Sequence, residues 1–242
     1  MKKIFVCSLV ISLVSVCSSA MAWRDRTHIA VGVVAQFDQA YNLAAPDVAK
    51  LKANTVEEYN HWVNVSETTP ITKEFIKGQI QRYNLGGEGE KGGHLYGAIV
   101  AAIRTYQDES AAGRFATYHL VYAGHYIGDL SMPLHHMENN QFNNARHSAN
   151  DSIVENHILT HLDKVTLFPI TIKNEDDLIQ NISLIATKAK GLAYLLQKED
   201  RNMTQEEAYR QISQSASLFQ AVLEYVAYPN RTETKIILGR DK

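Results

Sequence analysis

The chain has 242 residues, 45% of them hydrophobic and 21% charged, with a formal net charge of -2. That length and balance suit one sizeable core in a soluble globular domain, and the near-neutral charge demands neither a nucleic-acid nor a membrane partner.

The first 22 residues read as a cleaved signal peptide: Lys2 and Lys3 precede the apolar run IFVCSLVISLVSVC, and Ala20-Met21-Ala22 offers small residues where a signal peptidase reads. A membrane anchor fits less well, because the run is short for a spanning helix and no stop-transfer charge cluster follows. The predicted mature domain is therefore 23–242, secreted or periplasmic. Cleavage removes both cysteines, Cys7 and Cys17. An exported domain without disulfides must draw its stability from its core or from a bound metal held by His, Asp or backbone groups.

No stretch alternates as a half-buried strand would, whereas three-to-four spacing recurs. Leu178, Ile182, Ile185, Ala189, Leu192 and Leu196 form one such series, and Ala208, Ile212, Ala216, Phe219, Leu223 and Val226 another. The expected fold is all-α, a single-domain multi-helix bundle, with helices over 27–38, 45–61, 70–84, 93–108, 114–131, 148–164, 174–197 and 205–227. Pro46, Pro70, Pro133, Pro169 and Pro229 all fall at the edges of these segments, where a missing amide is tolerated. Thr204 with Glu207 reads as a capping box opening the last helix. The GGEGEKGG stretch, 86–93, lacks the strand-to-helix setting of a phosphate loop and reads as a flexible helix connection.

Within 114–131 the sequence FATYHLVYAGHYIGDL is nearly apolar all round, so this helix is expected to be central and buried. His125 and Asp129, at i and i+4, share one face of it. A buried bare carboxylate is costly, and the segment has no lysine or arginine after Arg114, so Asp129 needs a cation from elsewhere. Pro133 should end the helix and turn His135 out of line. His147 and Asp151 repeat the i, i+4 pattern, read here as lying near the start of the next helix, where a helix dipole also favours an anion. At the other end, WRDRTH sets His28 five residues after Trp23, whose amine, once freed, can chelate a metal together with its own carbonyl oxygen.

Trp23 with His28, His61 in NHWVNV, HYIGDLSMPLH and HSAND stand in one order along the chain. In these motifs the sequence resembles the zinc-dependent bacterial phospholipases C and the related single-strand-specific nucleases. That resemblance implies an all-helical fold with a trinuclear zinc site in a cleft. One ion is implied on Asp47, His61, His125 and Asp129, and a second on His135, His147 and Asp151. The third is implied on the amine and carbonyl of Trp23, on His28 and again on Asp129. Glu57, at i-4 from His61, is the alternative to Asp47. Met132 stands where the family usually has glutamine.

Trp62 reads either as a core aromatic or as a stacking wall for a base or head group, and Lys50 either as a surface lysine or as a phosphate contact. His157 and His161 form a pair too small for a site, and His94, His119 and His136 read as structural, the first two for lack of a carboxylate at helical spacing. The resemblance implies phosphodiester hydrolysis, with Asp47 and Asp129 as the catalytic carboxylates and no stable protein partner. The substrate is expected to be a phospholipid, favoured by HYIGDL and HSA. A single-stranded nucleic acid or 3'-nucleotide is the alternative, favoured by the Trp23-to-His28 spacing and by aspartate at 151. A secreted zinc-binding protein without turnover is a third reading.

Overall fold

Thr72, Asn140, Asn174 and Thr204 each have extended backbone angles and accept, through the side chain, the backbone N–H three residues on. Each removes one of the unpaired donors at a helix start, which is why helices begin at these points. The computed structural model describes residues 23–53 and 55–228. The predicted signal peptide and Pro229 lie outside the described residues.

Among the described residues there are nine α-helices and no strand: α1 Asp25–Val34, α2 Ala45–Ala53, α3 Thr55–Glu58, α4 Lys73–Gln79, α5 Leu95–Ala111, α6 Thr117–Asp129, α7 Gln141–Asp151, α8 Glu175–Glu199 and α9 Gln205–Tyr225. The expected all-α fold is thus the fold observed. Helix α6 is the hub, packing against α5, α1 and α9, while α8 covers the short 3₁₀ segment Pro133–His136. The core that these helices share includes Tyr96, Ile99, Leu120, Tyr126, Ile127 and Phe219, all fully or almost fully buried. No helix of the described residues is long and apolar enough to cross a membrane.

Two expected helices need correction. The segment assigned to 148–164 is instead the end of α7, which starts at Gln141 behind the Asn140 cap, followed by 3₁₀ turns at Ile158–Thr160 and Leu162–Lys164. QFNNARHSAND has too few apolar residues to announce a helix by periodicity, so its start is visible only through the cap. The segment assigned to 45–61 is two short helices, α2 and α3, with His61 at a bend just beyond them. The glycine-rich 86–93 connection carries a 3₁₀ turn at Glu88–Glu90 and is tied down: the Gly92 carbonyl accepts the Asn64 N–H. Gly93 (φ +73°) lies so close to Trp62 that an added Cβ would stand 2.0 Å from the Trp62 carbonyl oxygen.

Both halves of the capping box at α9 are present. Thr204→Ala is expected to cost about 1 kcal/mol in urea unfolding. The Arg201 guanidinium, opposed by burial and helped by the Thr204 amide, holds the Glu207 carboxyl at about 2, below its ordinary 4.5. A depressed acid stabilises the fold above its unfolded-state pKa and loses that contribution as pH falls through the folded one. Glu207→Gln should therefore be less stable than the parent at neutral pH, and the two should converge between about pH 4.5 and 2.

Candidate metal centre

Helix α6 ends at Asp129, and its last turn carries the centre. His125 and Asp129, one turn apart, are both fully buried. The Asp129 carboxylate meets imidazoles from four segments. Its Oδ2 lies 2.9 Å from His61 Nδ1 and 3.3 Å from His125 Nε2, and its Oδ1 lies 3.3 Å from His28 Nε2 and 3.8 Å from His135 Nδ1. Asp47, near the start of α2, adds an oxygen 4.0 Å from His61 Nδ1 and 3.9 Å from His125 Nε2. With the 3.1 Å between those two nitrogens, these distances scatter around the edge of about 3.3 Å that a tetrahedral ion with bonds of about 2.0 Å requires.

The outer nitrogen of His125 is engaged, which leaves its inner one aimed at this point. His125 Nδ1–H donates to the Leu43 carbonyl at 2.7 Å, so its Nε2 is the free ligand atom. Glu57 lies on the far side of His61, 3.3 Å from Nε2, while Asp47 lies on the Nδ1 side with Asp129 and His125. The alternative of Glu57 as a ligand therefore has the wrong nitrogen facing it.

A second cluster forms where the Pro133–His136 turn meets α7. His135 and His147 stack with ring centroids 5.2 Å apart, and His147 Nε2 is 3.6 Å from Asp151. His147 Nδ1 pairs with the Asn143 amide oxygen at 2.7 Å, leaving Nε2 toward Asp151. Here the expectation of an N-terminal aspartate fails: Asp151 is the last residue of α7, where the helix dipole opposes an anion. Burial pushes its carboxyl well above the usual range, and the charge of Asp129 adds to that push. For Asp129 burial acts the same way, but the imidazoles of His125 and His135 and the contact from His28 outweigh it and hold the carboxyl well below that range. The two carboxylates differ because four imidazoles lie within 3.8 Å of Asp129, whereas Asp151 has His147 at 3.6 Å and the charge of Asp129 acting against it.

The third group is His28 with His125 and Asp129. The His28 and His125 rings stack at 3.7 Å. Because His125 has only one nitrogen free, and that one faces His61, His28 and Asp129 carry the chemistry of this position. Trp23, fully buried, sits alongside with its indole N–H toward Ser131 Oγ at 3.4 Å. Burial and the neighbouring His125 both lower the His28 pKa, and burial lowers that of His135 well below the ordinary value. Both shifts favour the neutral ring, the form a metal needs.

Taken together, three buried His and Asp groups have ligand atoms within 4.8 Å of one another. Several of those atoms are buried with no hydrogen-bond partner: both nitrogens of His28 and of His135, Asp129 Oδ1, Asp47 Oδ2 and both oxygens of Asp151. So many orphaned polar atoms converging in one place are costly, and cations resolve the cost for all of them at once. The residues therefore fit metal ions.

Gly128 is the residue that lets His28 approach. A Cβ there would lie 2.4 Å from His28 Nδ1, and the ring has no room to retreat because it is stacked on His125. Gly128→Ala is expected to cost about 1–3 kcal/mol by overpacking and to weaken metal binding at the His28 position, read by melting and by metal content.

Lys50 is not a surface lysine: it is 7% exposed, and its Nζ donates to Asp47 Oδ1 at 2.8 Å. Burial raises the Asp47 carboxyl, but His125, Lys50 and His61 together bring it down to about 2. Trp62 is partly exposed, edge-on to Tyr59 at 5.9 Å. His136 points away from the centre, its ring nitrogens paired with the Tyr96 hydroxyl and the Leu130 carbonyl at 2.7 Å each. His94 does have a carboxylate at helical spacing, contrary to the sequence reading: Glu90 lies 3.4 Å from its Nδ1. Its Nε2 pairs with Asn60 Oδ1, so its role remains structural. No family model and no curated protein matches the chain.

Proposed function

We propose that the protein is an exported, zinc-dependent phosphodiester hydrolase of the phospholipase C and single-strand nuclease type, with three ions at the positions described above. The observation that carries this reading is the convergence of His28, His61, His125 and His135 on the single carboxylate of Asp129. The donors are all nitrogen and oxygen with no thiolate, a set that suits zinc. Three divalent ions outweigh Asp47, Asp129 and Asp151 in charge, so the loaded centre attracts an anionic phosphate. Bound there, zinc supplies Lewis acidity and an activated water to the phosphodiester.

The chain's own residues do the rest. Asp129 ties the positions together through its two oxygens. Asp47 turns Oδ1 toward the first position and keeps Oδ2 buried without a hydrogen bond; a carboxyl lowered to about 2 by His125, Lys50 and His61 against its burial is suited to accept from the attacking water. Lys50, held against Asp47, adds a positive charge for a phosphate oxygen.

A phospholipid head group is the favoured substrate. HYIGDL and HSA support it, and so does α2, which carries Asp47 and Lys50 inward and Val48 and Leu51 outward at 58% and 66% exposure. A nuclease or 3'-nucleotidase is the second reading, favoured by the partly exposed Trp62 beside His61, a surface on which a base can stack. The test is to count zinc in protein beginning at Trp23 and to assay it side by side on a phosphorylcholine ester, on single-stranded DNA and RNA, and on a 3'-nucleotide. Hydrolysis of the first supports the phospholipase reading, and of the others the nuclease reading. Bound zinc with no hydrolysis of any of them would leave a zinc-binding protein without turnover.

A further inference from the structure

Two ligand histidines have an outer nitrogen in a hydrogen bond, and a third, His61, does not. His125 faces a backbone carbonyl and His147 a side-chain amide, both neutral acceptors. His61 Nε2 is buried without a hydrogen bond, and the group facing it is a carboxylate: Glu57 Oε1 is 3.3 Å away, and Glu57 is only 5% exposed. That carboxylate is itself fixed. The Tyr126 hydroxyl donates to Oε1 at 2.7 Å, and Asn60 Nδ2 donates to Oε2 at 3.2 Å. Asn60 is anchored in turn, its Oδ1 pairing with His94 Nε2 at 2.9 Å and accepting the Asn84 N–H at 3.3 Å. Tyr126 belongs to α6 and lies beside His125, so the same helix that carries the ligands His125 and Asp129 also aims Glu57.

We propose that Glu57, oriented by Tyr126 and Asn60, is a positioning residue that takes the Nε2–H of His61 and so fixes His61 as a metal ligand through Nδ1. The inference rests on the metal-centre reading and not on any substrate. A carboxylate behind a ligating imidazole selects the tautomer, locks the ring and makes the inner nitrogen a stronger donor. The ion shared by Asp47, His61, His125 and Asp129 is then bound more tightly than neutral acceptors alone would allow. Glu57 lies four residues before His61, in the one-turn helix α3, so the pairing also ties the bend that carries His61 to that helix.

The test uses the mature protein with Glu57→Gln and, separately, Tyr126→Phe. Zinc affinities come from chelator competition, and the His61 tautomer from long-range proton–nitrogen NMR of the zinc-loaded protein. Glu57→Gln is expected to weaken one zinc about 10- to 100-fold while leaving the others. It should also shift the His61 Nε2–H resonance upfield, with helix content by circular dichroism unchanged. Tyr126→Phe should act in the same direction and less strongly, and it decides alone if Glu57→Gln does not fold. Zinc affinities within about twofold of the parent in both variants would overturn the proposal. So would a loaded His61 carrying its proton on Nδ1. Both readouts are independent of turnover, so loss of the hydrolase reading leaves this result standing, and failure here leaves that reading open to its own assay.

Discussion

Asp129→Asn is expected to release two metal ions together and to lower hydrolysis by more than about 100-fold, beyond the 10- to 100-fold range that loss of an outer-shell partner produces. The substitution preserves shape and removes one of two oxygens, putting in its place an amide nitrogen that donates and cannot ligate. In the protein the two oxygens serve different neighbours: Oδ2 faces His61 and His125, and Oδ1 faces His28 and His135. An asparagine can turn its remaining oxygen to one side only, and a neutral oxygen is a weaker donor there than a carboxylate. The countercharge for the buried imidazoles disappears as well. His125 has its pKa raised, with burial opposing and Asp129 and Asp47 prevailing, so removing Asp129 should lower it. Metal content by atomic emission, with circular dichroism as the control for folding, checks the result. Loss of one ion alone would show that Asp129 does not bridge.

The comparison of sequence and structure follows from which interactions are local. His125 and Asp129 stand out in the sequence because they are one helical turn apart in an otherwise apolar helix. His147 and Asp151 stand out by the same spacing, but their helix starts seven residues before the expected 148, because α7 is announced by the Asn140 cap and not by an apolar stripe. That shift reversed the dipole argument for Asp151 and made its need for a cation greater than the sequence suggested. The partners that orient the ligands are legible in part at most. Leu43 lies 82 residues from His125 and contributes a main-chain oxygen, for which no side chain gives a sign. Glu57 was visible at i-4 from His61, but only the fold shows which nitrogen it faces. Gly128 likewise gives no sign in the sequence of the His28 ring pressed against it.

A single extra residue retained before Trp23 is expected to remove the ion at the His28 position and to lower hydrolysis at least about tenfold, the order of effect set by losing one metal contribution. The physical reason is chemical rather than steric in the first place. A terminal amine carries a lone pair that a metal can share, whereas an amide nitrogen has given its lone pair to the carbonyl and does not ligate near neutral pH. Without that amine, His28 and Asp129 Oδ1 remain as the side-chain donors, 3.3 Å apart, and two protein ligands make a weak site. The fully buried indole of Trp23 lies 3.4 Å from Ser131 Oγ, two residues after Asp129, and Trp23 is the residue whose amine the proposed cleavage would free. Protein prepared with and without one added alanine, compared for zinc content, melting and turnover, gives the answer. Equal zinc content in the two forms would remove the Trp23 amine from the ligand set while leaving the other two positions as described.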